Sequence, residues 1–283
     1  MMFANMHNHS TFSDGPHTPV KLVEIAKAQG HGAVVLTDHD NVKGYYFMEK
    51  ACRKAGLLTM IGCEFSTVGL GTDFHLLGFD FNPEEPEMAA LLEKSGSQQY
   101  KRTKLLFDWA VEKGDLQGIT WEEVVAQNPY NNYICNEQVF RAMIAKGILK
   151  PEDKKTFSLN FNYGNKEREK KVNETITIEY PHIADAIRII KKAGGVPMLA
   201  HPSTKIIYLH ELIEMGLMGF EVYYPDSLTG CWEVLDEIAD EYGLYKAGGT
   251  DHSDIMGGFG GKPWPQCGAS EEDFMKLYRR ELG

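Results

Sequence analysis

His7-Asn8-His9-Ser10-Thr11-Phe12-Ser13-Asp14-Gly15 is the stretch on which the reading of this chain turns. Alternate side chains of a strand share one face, so His7 and His9 can grip one metal ion together. A lone His-x-His is common on surfaces and in cores. Here it has company. Thr37-Asp38-His39-Asp40, Glu64, His75, Ala200-His201-Pro202 and Gly249-Thr250-Asp251-His252 each stand at the end of an apolar run. The recurrence implies one polar cluster assembled from many strand ends.

Working outward, Phe3 to His9 reads as a strand and Pro19 to Gln29 as a helix capped by Thr18. Ala33 to Thr37, Thr59 to Phe65 and Phe74 to Phe79 read as further strands, with a helical stretch through Lys54 between the first two. The rhythm resumes with helix Ile183 to Ala193, strand Val196 to Ala200 and helix Ile207 to Met215, then strand Gly219 to Tyr223, helix Cys231 to Tyr242 and strand Leu244 to Ala247. Strands alternating with helices predict a parallel sheet, and this many repeats an α/β barrel with ligands at the strand C-termini. Between about residues 84 and 178 the rhythm breaks. Glu84 to Lys113, Trp121 to Ala126 and Asn136 to Lys146 read as helices, and Asn160 to Asn165 as a loop. The expected organisation is a barrel from 1–83 and 179–283, with 84–178 as an inserted helical cap subdomain over its mouth.

A chain of 283 residues buries a substantial core, and 43% hydrophobic with 24% charged residues fits an ordinary globular protein. The net charge of −11 argues against duplex nucleic acid held by bulk positive charge. Part of that excess is accounted for if the acids are ligands to cations. The five cysteines are scattered without a Cys-x-x-Cys, which excludes a zinc ribbon and a disulfide framework as organising devices. No basic-then-apolar leader opens the chain and no run reaches membrane-spanning length, so a cytoplasmic location is expected.

The strand-end donors are His7, His9, Asp14, His39, Glu64, His75, His201, Asp251 and His252. Imidazole and carboxylate without thiolate suit zinc, manganese or iron. The set exceeds the needs of one tetrahedral ion, which points to two or three divalent ions sharing a bridging carboxylate. Asp38 and Asp40 flank His39, where either orients an imidazole or caps the loop. His17, His31, His182 and His210 belong to no motif and are assigned to structure.

These motifs, in this order, resemble the polymerase and histidinol phosphatase (PHP) family of metal-dependent phosphoesterases: His-x-His-Ser-x-x-Ser-Asp-Gly, Thr-Asp-His-Asp, Gly62-Cys63-Glu64, Phe74-His75, Ala200-His201-Pro202 and Gly-Thr-Asp-His. The resemblance implies a distorted (βα)7 TIM-like barrel and up to three metals. It implies that His7, His9, Glu64 and Asp251 hold the first ion, that Glu64 bridges to a second completed by His75 and His201, and that Asp14 and His39 hold a third. The family often places a third-site histidine where this chain has Ser253; His252 lies one residue early.

Paired metals generate hydroxide at neutral pH and offset charge on a phosphoryl group. No Gly-x-Ser-x-Gly and no base-paired cysteine offers a covalent nucleophile, so direct attack by metal-activated hydroxide is the economical reading. Asp251, His201 and His252 are the catalytic candidates, the two histidines as proton donors to the leaving oxygen. Stand-alone relatives with a helical insertion carry Ile-x-Arg-x-His directed at a substrate phosphate. Here Ile134 is followed by Asn136 and Gln138 at those places. An amide bonds a phosphate without bringing charge. Arg141, Lys205 and Tyr223 complete the substrate-binding candidates, with Lys43, Arg102, Lys104 and Tyr224 behind them. The expected partner is a small phosphorylated molecule, a phosphomonoester or cyclic phosphodiester of nucleotide or sugar type. The alternatives are a 3',5'-nucleotide bisphosphatase or short-oligoribonucleotide exonuclease, an amide hydrolase and a non-catalytic metal-binding domain. The oligomeric state is not legible in the sequence.

Overall fold

The computed structural model describes residues 2–161, 166–225, 231–251 and 267–282. A parallel pair, β1 (Ala4–Asn5) and β2 (Ala33–Val34), is bridged by α1 (Pro19–Ala28). Pro19 sits at the first helical turn and the Thr18 hydroxyl accepts from Lys21 N at 3.2 Å, the expected start signal. After α2 (Tyr45–Ala55) come β3 (Gly62–Gly69) and β4 (Thr72–Phe79). They pair antiparallel around Leu70-Gly71, whose φ values of 48° and 81° suit a two-residue hairpin turn.

That hairpin corrects the expectation of an all-parallel sheet. The short stretch between Phe65 and Phe74 cannot hold a crossover helix, so the two strands must run in opposite directions. β4 is also antiparallel to β5 (Val196–Leu199). Only β5, β6 (Gly219–Tyr223) and β7 (Tyr245–Gly248) run parallel. The strands form a two-stranded and a five-stranded sheet, not one closed seven-stranded cylinder, among the described residues. A few isolated bonds join the sheets, among them Met6 N to Gly248 O on one side and Asp40 N to Glu64 O on the other, both at 2.9 Å. Regular pairing stops where the chain bends to aim ligands. Asp40, His201 and Asp251 have φ of 46°, 25° and 47°, which no ladder accommodates.

Side chains from both sheets, among them Met6, Val35, Leu77, Phe79, Met198 and Tyr245, fill one apolar interior beneath those bends. The alternate strand residues Phe65, Leu76 and Phe220 face outward onto α8 (Ile183–Lys192) and its neighbours α9 (Leu209–Glu214) and α10 (Cys231–Tyr242), the two-residue period of a strand with two apolar faces. α11 (Glu271–Tyr278) packs Phe274 and Leu277 against the interior.

Between β4 and α8 the chain is helical: α3 (Pro86–Lys113), α4 (Trp121–Ala126), α5 (Asn136–Ala145), α6 (Lys154–Phe161) and α7 (Lys166–Thr175). These helices have a hydrophobic cluster of their own, built on Leu106, Phe107, Trp121, Phe140 and Phe157. Asn160 and Phe161, expected in a loop, complete α6 instead. Phe161 is buried and stacks on Phe157 at 4.9 Å, so aromatic burial extends the helix through a polar-looking stretch. The rest of that expected loop, 162–165, lies outside the described residues. No helix among the described residues is long and apolar enough to cross a membrane.

Candidate metal centre

Glu64 reaches the cluster from β3 and is fully buried, with its two oxygens facing different neighbours. Oε2 lies 3.3 Å from His7 Nε2 and 3.2 Å from His9 Nε2. Asp251 Oδ1 closes this group at 3.2 Å from His9 Nε2 and 3.6 Å from His7 Nε2. Oε1 lies 2.9 Å from His75 Nδ1 and 3.1 Å from His201 Nε2, and those two nitrogens are 3.2 Å apart. On a third side Asp14 stands 3.4 Å from His9 Nδ1 and 3.8 Å from His39 Nε2. The structure thus brings together every described member of the predicted donor set. His252 lies outside the described residues.

Local sequence explains why these atoms converge. A Cβ on Gly249 would lie 2.3 Å from His7 N, so only glycine lets the β7 end pass so close. Thr250 N and Asp251 N then both donate to His7 O, which aims the Asp251 carboxylate back at the cluster. A Cβ on Gly15 would meet His9 O at 2.0 Å, and the same logic folds the Asp14 loop onto the His7–His9 strand end.

The electrostatics fit a cation. Burial lowers the imidazole pKa of His7 and His9, yet the carboxylates Glu221, Glu64, Asp251 and Asp14 overcome it and raise both well above the usual range. Burial would raise Glu64 as well, but His7, His39 and His75 hold it well below the ordinary carboxylate range. His39 goes the other way, pushed by burial down to about 3. Its Nδ1 and Glu64 Oε2 are buried 3.1 Å apart, and neither has a hydrogen-bond partner. Two buried lone-pair atoms facing one another without a proton between them are expensive unless something positive binds them both. A divalent ion fits that need and this donor set.

Two supporting acids differ in how legible they were. Asp38 caps the loop rather than orienting an imidazole: it accepts from Ser10 N and Ser13 Oγ, both at 2.6 Å, and from Ser10 Oγ at 2.8 Å. Asp40 accepts from Ser66 N at 3.3 Å, and burial pushes its carboxyl up to about 7. Sequence reasoning missed Glu221 on β6. It is fully buried, its Oε2 pairs with His7 Nδ1 at 2.9 Å, and the same oxygen accepts from His201 N at 2.7 Å. It fixes His7 from behind. The available signal was an acid inside the apolar strand Gly219-Phe220-Glu221-Val222-Tyr223.

The substrate-binding candidates are scattered. Asn136 is buried at the cavity wall with Oδ1 unpartnered. Gln138 is fully buried, accepting from Cys135 N and donating to Ser13 O, both at 2.6 Å, so its amide is spent on backbone. Arg141 donates to the carbonyls of Gly15, Thr11 and Ser13. Lys205 bonds the Thr72 hydroxyl and lies 3.5 Å from Asp73. Tyr223 donates to Asp236 at 2.6 Å on α10, and the Tyr224 hydroxyl accepts from Ser203 N at 2.8 Å. Gln138, Arg141, Lys205 and Tyr223, expected at a substrate, thus each have protein partners in this structure. His182 caps α8 through Ala184 N, and His210 pairs with Glu214 on an exposed face.

The centre opens into a cavity of about 290 Å³ lined by Asp14, His39, His75, Arg102, Asn136 and Tyr180 among others. A larger apolar groove of about 560 Å³ lies on the other side of the Asp14 loop, lined by Phe12, Phe47 and Tyr130. None of the metal donors reaches it, so size does not mark the reaction site here.

The PHP domain model matches residues 5–144. A 5'-3' exoribonuclease of Haemophilus influenzae is 31% identical over 204 residues, 70% of this chain and 68% of the relative. A phosphoribosyl 1,2-cyclic phosphate 1,2-diphosphodiesterase of Eggerthella lenta is 27% identical over 90% of this chain and 96% of its own length. A solved structure from Bifidobacterium adolescentis superposes with a TM-score of 0.79 at 24% identity, covering 99% of this chain and 96% of the other. That likeness shows a shared mixed α/β fold.

Proposed function

Since this chain belongs to the PHP domain family, we propose that it is a metal-dependent phosphoesterase that hydrolyses a small phosphorylated substrate. The single observation that carries the proposal is Glu64, buried with each oxygen facing a different group of imidazoles. We read the architecture as a distorted (βα)7 barrel, residues 1–83 and 179–283, capped by 84–178. The separate core of the helical segment supports that division.

In this reading His7, His9, Glu64 and Asp251 hold one divalent ion, Glu64, His75 and His201 a second, and Asp14 with His39 a third. Manganese, iron and zinc all suit the donors. When bound, such ions polarise a phosphoryl oxygen and supply activated water. The protein's own residues supply orientation and charge. Glu221 keeps His7 turned toward the cluster. Arg102, on α3 at the cavity wall, makes no ion pair or hydrogen bond among the described residues and is free to meet a phosphate oxygen. The Tyr180 ring, partly exposed on the same wall, offers an apolar surface to the rest of the substrate. His201 is 32% exposed beside His75 and is the candidate to hand a proton to the leaving oxygen. Its Nε2 also meets Glu64, so proton transfer and metal ligation compete for one atom, and the ligand role is favoured.

The leading substrate class is a phosphomonoester or cyclic phosphodiester of nucleotide or sugar type. A second reading, nucleotide bisphosphatase or short-oligoribonucleotide exonuclease, is favoured by the exoribonuclease relative and disfavoured by Asn136 and Gln138. Phosphate release by manganese-loaded protein across nucleotide bisphosphates, sugar phosphates, cyclic phosphates and short oligoribonucleotides separates them. Metal-stripped protein and Asp251→Asn are the controls. Metal-dependent turnover is the expected result. Silence across the panel with metal demonstrably bound sinks the proposal in favour of a non-catalytic metal-binding domain.

A further inference from the structure

Asp14 is the loosest member of the cluster, 3.4 Å and 3.8 Å from its imidazole neighbours where Glu64 contacts its own at 2.9 to 3.3 Å. It also rides on the least regular support. Among the described residues, the only ladder-type contact of its loop is an isolated bridge between Ser10 and His17. The carbonyls of Thr11, Phe12, Ser13 and Gly15 instead end on side chains distant in sequence. Arg141 takes Thr11 O at 3.2 Å, Ser13 O at 3.3 Å and Gly15 O. Gln138 takes Ser13 O at 2.6 Å, joined by Cys135 Sγ at 3.6 Å. Asn131 and Asn41 take Phe12 O at 2.7 Å and 2.8 Å. All but Asn41 come from the helical segment, so that segment reaches the metal centre through the loop's backbone.

Gln138 suits this task for a chemical reason. One terminus carries both a donor and an acceptor, so it bonds Cys135 N at the start of α5 and Ser13 O in the loop at once. The Arg141 guanidinium, partly buried, has no carboxylate within ion-pair distance among the described residues. Three carbonyl bonds to one loop are what it has in exchange for lost hydration. A guanidinium fork held in this way is stiff, and it fixes three points on either side of Asp14.

We propose that Arg141 and Gln138 are positioning residues for the third metal ion: α5 braces the Asp14 loop and thereby sets how tightly Asp14 and His39 hold that ion. The inference rests on the phosphoesterase reading and departs from the expectation that these side chains touch substrate. It deepens that reading, because the helical segment becomes part of the metal centre and not only a lid over it.

Manganese titration of the metal-stripped protein, followed by electron paramagnetic resonance of the free ion and elemental analysis, tests it on the full chain. In Arg141→Lys, Arg141→Ala and Gln138→Met the weakest class of bound ion should weaken roughly tenfold or more, as for lost supporting contacts elsewhere, while the tighter ions stay within about twofold. Turnover should fall through kcat, recover in excess manganese, and leave KM within about threefold. Unchanged metal binding in the variants overturns the proposal, as does a parent protein with no third, weaker class. A raised KM with full metal content also overturns it and returns both residues to substrate binding. Should Arg141→Ala fail to fold, the lysine and methionine variants carry the same readouts. A parent that binds its ions and releases no phosphate from any substrate rejects the phosphoesterase reading alone, since the metal titration still stands.

Discussion

Around Glu64, itself within β3, the candidate donors ride on strands or just beyond them: His7 follows β1, His75 lies within β4, His201 follows β5 and Asp251 follows β7. Asp14 rides on a loop whose carbonyls are held by side chains of the helical segment. Main-chain ladders hold the first wall, and each strand is further pinned by the apolar interior below it. Amide and guanidinium bonds hold the second, and each depends on one side chain. The same donor chemistry is thus built into one wall by the fold and into the other by a handful of contacts. Substitutions should accordingly act on the first wall through the donors themselves and on the second through their supports.

The largest effect is expected at Glu64. Glu64→Gln removes the charge on which two groups of imidazoles converge, and turnover should drop by roughly 1,000-fold, the scale of deleting one charge-stabilising group. Elemental analysis should show the loss of the first two ions together. A variant that keeps both would mean that the strand wall is not organised around Glu64. Next comes Glu221→Gln, which weakens the hold on His7 Nδ1 and on His201 N. Metal affinity should fall by about 10–100-fold, and the effect should be confined to the first two ions. If the third ion weakened equally, the two walls would be one cooperative unit.

Asp38→Asn tests the loop wall from beneath. An amide cannot accept from Ser10 N, Ser10 Oγ and Ser13 Oγ as the carboxylate does, so unfolding free energy should fall by about 1–3 kcal/mol in a denaturant titration. The tight ions should be retained. The smallest effects are expected at Lys205→Met and Tyr223→Phe, with turnover within about twofold of the parent, because Lys205 pairs with exposed Asp73 and Tyr223 turns to Asp236. A tenfold rise in KM for either would restore it to the substrate site and extend the cavity beyond its present lining.

Legibility followed the same division. His7, His9, Glu64, His75, His201 and Asp251 were readable because each closes an apolar run, and strand periodicity says where such residues point. Asp14 was readable only through its place in the opening motif. The β3–β4 hairpin was missed because two adjacent strand runs were fitted to an alternating pattern, although too few residues for a helix separate them. Glu221 was passed over because it belongs to none of the recurring histidine and aspartate motifs. Gln138 and Arg141 were singled out for a phosphate, and in the structure both donate to backbone carbonyls of the Asp14 loop. Side-chain type says that an amide or guanidinium will bond oxygen, not whether that oxygen belongs to a phosphate or to a carbonyl.

The sequence by itself determined which imidazoles and carboxylates are candidates to cluster, their order and the mixed α/β class, since these depend on residue types and on short-range periodicity. The tertiary structure alone decided that the strands close no continuous cylinder among the described residues, that Glu221 stands behind His7, and that α5 grips the Asp14 loop. Arg141 and Gly15 are 126 positions apart. No local pattern encodes a contact at that separation; it exists only because packing of the helical segment brings α5 against the strand ends, where unpaired carbonyls were waiting for a donor.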